Sequence, residues 1–178
     1  MITQMKFSIS QAVAILERTP AVLHTMLESL SEDWTFQNEG GETWSVFDIV
    51  GHLIHGEKTD WVPRAEIILY QNAEKKFQPY DRFAQFENSK GKTLPELLIE
   101  FSELRKNNIQ YLRSKQITEK QLEERGIHPA FGEVTLSQLL ATWVVHDLNH
   151  ISQIARVMAK QYREEVGPWI QYLGILKS

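Results

Sequence analysis

The sequence predicts an all-α protein: a four-helix bundle with a long crossover between its second and third helices. Three observations predict this fold class. Apolar residues recur at helical spacing over four long stretches. Hydroxyl residues stand three positions before a group able to complete or imitate a capping box, and they do so at five separate helix starts. Finally, the connection Gln71 to Lys92 is polar, carries Pro79 and Gly91, and is long for a link between antiparallel neighbours.

Ser8-Ile-Ser-Gln11 opens the first helix, about Ser10 to Leu30, with Val13, Leu16, Leu23, Leu27 and Leu30 on one face. Pro20 interrupts it and predicts a kink or a short break. "NEGGET", Asn38 to Thr43, is loop by its glycines. Ser45-Val-Phe-Asp48 opens the second helix, Val46 to about Tyr70, which again carries an internal proline, Pro63. Thr93-Leu-Pro-Glu96 opens the third, Leu94 to about Ser114, with Leu97, Phe101, Leu104 and Leu112 inward and Pro95 early enough to be tolerated. Thr118-Glu-Lys-Gln121 predicts a minor helix ending near Glu124. Thr135-Leu-Ser-Gln138 opens the fourth helix, Leu136 to about Tyr162, which is the most apolar. Pro168 to Leu173 makes a short turn.

Composition bounds the function. A chain of 178 residues with no break in composition suits a single domain over residues 1–178 with a full-sized core. The net charge of −4 and scattered basic residues exclude nucleic acid as the expected partner; "EKK" and "SKGK" read as solvated loop. No apolar run approaches the roughly 20 residues of a membrane span, so no membrane association is expected. "MITQMKFSIS" lacks the apolar block of a signal peptide, which makes the cytoplasm the default. The chain has no cysteine, so disulfides, thiolate metal sites and a protein thiol nucleophile are excluded.

The chemistry lies in "ATWVVHDLNHISQI", Ala141 to Ile154. At 100° per residue the apolar arc of the fourth helix holds Leu139, Leu140, Trp143, Val144, Leu148, Ile151, Ile154, Val157 and Met158. His150 lies within that arc, His146 at its margin, Gln153 just beyond, and Asp147 near its centre. A carboxylate there must be paired or protonated. A single histidine in such a place is ordinarily a satisfied core group. Two at i and i+4 stand about 6 Å apart on one face, within reach of one divalent ion.

The second helix offers a third imidazole. In "VGHLIHGEKTDW", His52 borders the apolar arc beside Gly56, whose missing side chain leaves room. His55 is turned further out, towards solvent or a dimer partner. Glu57 lies within the arc, and Asp60 shares the stripe of His52. Three neutral imidazoles from two helices make a site with open coordination positions, the catalytic rather than the closed structural arrangement. Nitrogen donors suit zinc, nickel, iron or copper. Asp147 or Glu57 is the expected partner of a ligand's far nitrogen. Glu57, Asp60 and Gln153 are the candidates to orient substrate or shuttle a proton. His24 and His128 read as structural or exposed, the latter in an irregular segment. The five tryptophans read as core, with Trp61 and Trp143 placed to line a cavity.

"EDWTFQNEGGETWSVFDIVGHLIHGE", followed far downstream by "HDLNHISQI", resembles the DinB/YfiT-like superfamily of four-helix metalloproteins. The Trp-Ser helix start, the His52-Leu53 pair and the run His146, His150, Gln153 carry the match, which spans most of the chain. The resemblance implies a divalent metal, zinc or nickel, on His52, His146 and His150. It also implies a low-molecular-weight thiol S-transferase acting on a small-molecule substrate, with the thiol as co-substrate, and often a homodimer. Hydrolysis on the same site is the close variant, and a non-enzymatic metal- or ligand-binding bundle is the alternative. The superfamily's name derives from DNA-damage induction and implies no chemistry on DNA.

Overall fold

The computed structural model describes residues 5–70 and 74–177. Residues 1–4 of the N-terminal stretch and 71–73 at the head of the crossover lie outside the described residues, as does residue 178. The first expected helix is two: α1 (Ile9–Leu16) and α2 (Thr19–Leu27), with Pro20 in the first turn of α2. There its missing N–H is no loss, because first-turn donors have no intrahelical partner anyway. Ser8 caps α1 only by its extended backbone; its hydroxyl bonds Ser10 Oγ at 2.9 Å, so the expected capping box does not form. After the short α3 (Glu32–Thr35), the second expected helix also splits, into α4 (Val46–Thr59) and α5 (Trp61–Tyr70). The chain breaks at Asp60, and Pro63 then falls in the first turn of α5.

The crossover contains α6 (Ala84–Ser89) and leads to α7 (Leu94–Ser114) and α8 (Glu119–Leu122). The reciprocal capping boxes expected at Ser45/Asp48, Thr93/Glu96, Thr118/Gln121 and Thr135/Gln138 are all present. Beyond α8 an antiparallel hairpin, β1 (Arg125–His128) and β2 (Gly132–Thr135), replaces the irregular segment expected around His128. Lys76 bridges to Ile127 beside it. Gly126 allows this docking, since a Cβ there would lie 2.6 Å from the Phe77 ring. The long α9 (Leu136–Gln161) follows, then 3-10 turns at Gly167–Tyr172 and Gly174–Leu176. None of the described helices is long and apolar enough to cross a membrane.

Side-chain contacts fix the helix directions. Glu57 meets Arg105 and Asn108, and further along Glu66 meets Tyr111, so α4–α5 and α7 run the same way, as the crossover predicts. Val13 and Leu16 pack with Leu136 to Trp143, whereas Leu23 and Leu27 pack with Ile154 and Val157, so α1–α2 runs with α9. The two pairs are mutually antiparallel. Their core divides into two apolar blocks, one around Trp61, Ile109 and Trp143 and the other around Leu53, Phe101 and Ile154. A buried polar belt lies between them, to which the four long arms each contribute one group: Thr19, Glu57, Arg105 and Asp147.

Candidate metal centre

His146 and His150 stand one turn apart on α9, and His52 faces them from α4. Their Nε2 atoms converge: His52 lies 3.0 Å from His146, and His150 lies 3.1 Å from His146. The three can offer one ligand atom each within 4.8 Å of one another. Zinc–nitrogen bonds are about 2.0–2.1 Å, so two donors on one ion stand roughly 3 Å apart at angles between square and tetrahedral. The observed separations therefore fit a shared ion. His52 and His150 are buried and His146 is half-buried.

The far nitrogens are held unequally. His150 Nδ1 meets Gln153 Oε1 at 2.8 Å, one turn along the same helix. His52 Nδ1 meets Gln85 Oε1 at 2.9 Å and the Tyr80 hydroxyl at 3.2 Å, both from the crossover. His146 Nδ1 is buried without a hydrogen-bond partner among the described residues. Burial pushes all three pKa values down. His52 falls to about 4, with the neighbouring His150 adding to the effect. His146 falls to about 2, with help from His150, His52 and Arg105. In His150 burial outweighs the opposing Gln153 hydrogen bond and the Asp147 charge. All three rings are thus neutral near pH 7, the state in which imidazole is a ligand. The Trp44 ring lies 4.8 Å from that of His52, and Trp61 lies 5.0 Å from His146, so indoles wall the cluster.

Two expectations about this neighbourhood are corrected. His55 does not face solvent or a dimer partner. It is buried beneath the crossover, with the Tyr80 ring 4.9 Å away and Pro79, Tyr80 and Asp81 lining the small cleft of about 230 Å³ that it shares. Helix geometry placed it off the bundle's inner face but could not see that the crossover returns over that side. Nor does Asp147 or Glu57 back a ligand histidine. Arg105 donates to Asp147 at 2.6 and 3.0 Å and to Glu57 at 2.8 Å. Thr19 also donates to Asp147, and Trp143 Nε1 and Asn108 donate to Glu57. In Arg105 burial works against the charge, but the two carboxylates outweigh it and raise its pKa.

The remaining candidates divide. Gln153 touches the cluster through His150, whereas Asp60 is paired with Arg64 at 2.6 Å. Burial raises the Asp60 pKa against the pull of Arg64. The room at Gly56 serves Trp61, whose Nε1 would lie 3.2 Å from a Cβ there. Trp169 is exposed, contrary to the expectation that all five tryptophans are core, and so is Leu148 of the apolar arc. Sequence reasoning missed Arg105, Gln85 and Tyr80. Arg105 left a signal, a charge in the apolar stripe between Phe101 and Ile109. Gln85 and Tyr80 left none, being polar groups in a polar connection.

Comparison with known proteins agrees with this architecture. The family model of the DinB superfamily matches residues 15–154. Among solved structures, the chain is similar to YfiT from Bacillus subtilis, described as "a probable metal-dependent hydrolase with an unusual four-helix bundle topology". That match has a TM-score of 0.71 and 22% identity, and covers 93% of this chain and 94% of YfiT. At such identity it shows the fold. No curated protein sequence matches significantly.

Proposed function

Because the chain belongs to the DinB superfamily, we propose that it is a metal-dependent enzyme in which His52, His146 and His150 hold one divalent cation, zinc or nickel. The observation that carries this reading is the convergence of three neutral Nε2 atoms. When bound, the ion supplies a Lewis acid with open positions, lowering the pKa of a thiol or water placed there. Gln153 orients His150, and the Trp44 and Trp61 rings restrict water around His52 and His146.

The protein's own carboxylates favour one nucleophile over another. Glu57 is committed to Arg105, Asn108 and Trp143, and Asp60 to Arg64, so neither is a free base for the cluster. A nucleophile that ionises with little help suits such a site. A thiol, with a pKa near about 8.5, needs far less than water at about 15.7. The reading is therefore a low-molecular-weight thiol S-transferase. The thiol proton passes to solvent, sulfur forms the new bond to an electrophilic small molecule, and the leaving group departs with its electron pair. Hydrolysis is the second reading, favoured by the description of YfiT.

The test uses untagged protein loaded with zinc or nickel. Metal-dependent consumption of a thiol with a model electrophile such as 1-chloro-2,4-dinitrobenzene supports transfer. Metal-dependent cleavage of activated esters or amides without added thiol supports hydrolysis. Stoichiometric metal with neither activity across a panel of both substrate types overturns the enzyme reading in favour of a binding protein.

A further inference from the structure

We infer that Gln85, carried by the crossover, is a positioning residue for the metal centre: its carboxamide oxygen holds His52 as the Nδ1–H tautomer and so presents the Nε2 lone pair to the shared site. The inference rests on the metal-dependent reading above. Gln85 is 1% exposed, and its Oε1 lies 2.9 Å from His52 Nδ1. The amide nitrogen of the same side chain has no hydrogen-bond partner among the described residues. A buried donor left unpaired costs about 1–3 kcal/mol, so this side chain is not placed here for its own stability. Among the described residues its side-chain hydrogen bond is to His52.

The chemistry of that tie is directional. A carbonyl oxygen only accepts, so the ring must donate from Nδ1, and a neutral ring that carries its proton on Nδ1 has a lone pair on Nε2. The Tyr80 hydroxyl oxygen, 3.2 Å from the same Nδ1, can share that proton as a second acceptor. His150 receives the same treatment from Gln153, but from within its own helix. His52 instead depends on a separate element. Helix α6 reaches it by packing closely on α4 at Gly51, where a Cβ would stand 2.5 Å from Ser89 Oγ. The connection between the second and third arms of the bundle is thus also the support of one ligand. His146, whose Nδ1 has no such partner, is the contrasting case.

Substitution at 85 separates the roles of shape and acceptor. Gln85→Leu fills similar volume without an acceptor, while Gln85→Glu keeps an acceptor at the same reach. Zinc affinity, measured by chelator competition on untagged protein, should fall by about 10–100-fold in Gln85→Leu and remain close to the parent in Gln85→Glu. Long-range proton–nitrogen NMR on the metal-free proteins reads the tautomer directly. His52 should be Nδ1–H in the parent and in Gln85→Glu, and lose that preference in Gln85→Leu. An Nε2–H ring in the parent overturns the inference, as does parental affinity and tautomer in Gln85→Leu. If the tautomer follows residue 85 but the parent binds neither zinc nor nickel, the metal-dependent reading falls and the control of His52 by Gln85 stands. Should Gln85→Leu fail to fold, as judged by its thermal transition, Gln85→Met supplies a flexible apolar replacement for both measurements.

Discussion

Replacing Arg105 by methionine should be among the most destabilising single changes this protein can suffer. The guanidinium makes two hydrogen bonds to Asp147, one to Glu57 and one to the Leu16 carbonyl, all while 1% exposed. It also lies 4.9 Å over the Phe101 ring and 5.1 Å over that of Trp143. Methionine can keep much of the packing but none of the polar contacts, and it leaves two carboxylates in the interior without their cation. Breaking one side of a buried ion pair costs about 3–5 kcal/mol, against a total stability of about 5–15 kcal/mol for a protein. At about 2–4 °C per kcal/mol for a chain of this size, the melting temperature should drop by roughly 6–20 °C. Urea unfolding followed by tryptophan fluorescence is the direct assay, since Trp143 donates to Glu57 within the network. Arg105→Lys, which keeps the charge but not the two-pronged geometry, should fall between parent and Arg105→Met. A loss below about 1 kcal/mol in Arg105→Met, or a lysine variant as stable as the parent, would refute the view that this network ties the helices together.

Three further outcomes follow from the site and its setting. His52→Ala should release most of the metal from untagged protein, whereas His55→Ala should retain it; its cost should appear instead as about 1–3 kcal/mol of stability, because His55 is buried under the crossover. An emptied site in His55→Ala with a full one in His52→Ala would reverse the ligand assignment. In metal-free protein, the folded pKa of His52 near 4 and of His146 near 2 lies below the ordinary value of 6.5, so the unfolded chain binds more protons. Stability should then be level above about pH 6.5 and decline as pH falls from there through about 4; chemical denaturation at a series of pH values would contradict this if stability rose over that window. Finally, amides of Leu139 to Ile154 in α9 should exchange more slowly than those of residues 74–92, and equal rates by hydrogen exchange would discount the buried face of α9 as the most protected element.

Much of this was legible because helices obey local rules. Four of five capping boxes formed as spelled, and 3.6-residue periodicity put His150 and Asp147 inside the bundle. The long connection before Leu94 correctly implied two arms running the same way. The illegible parts depended on contacts distant in sequence. Nothing around His55 tells that Tyr80 will cover it, and nothing in the crossover marks Gln85 as the partner of His52. Pro20 marked the short break between α1 and α2, and Pro63, internal to the second expected helix, likewise lies in the first turn of a new one. The hairpin escaped because its strands are four residues long and mix charged, glycine and histidine positions with apolar ones.

The polar belt has a consequence for alignment. Apolar helices can slide past one another at little cost, because one leucine-lined surface packs against another about as well after a shift of one turn, about 5.4 Å. Thr19, Glu57, Arg105 and Asp147 remove that freedom, since they meet at a single height in the bundle. Slide the arm of Glu57, Arg105 or Asp147 by a turn and a buried charge loses its partner, while sliding that of Thr19 removes a hydrogen bond from Asp147, so a shifted arrangement is penalised. His52 sits on one arm and His146 and His150 on another, and their nitrogens converge only while the arms keep that height. The belt therefore acts as a vernier for the bundle, setting the relative height of two helices finely enough for three imidazoles to share one point.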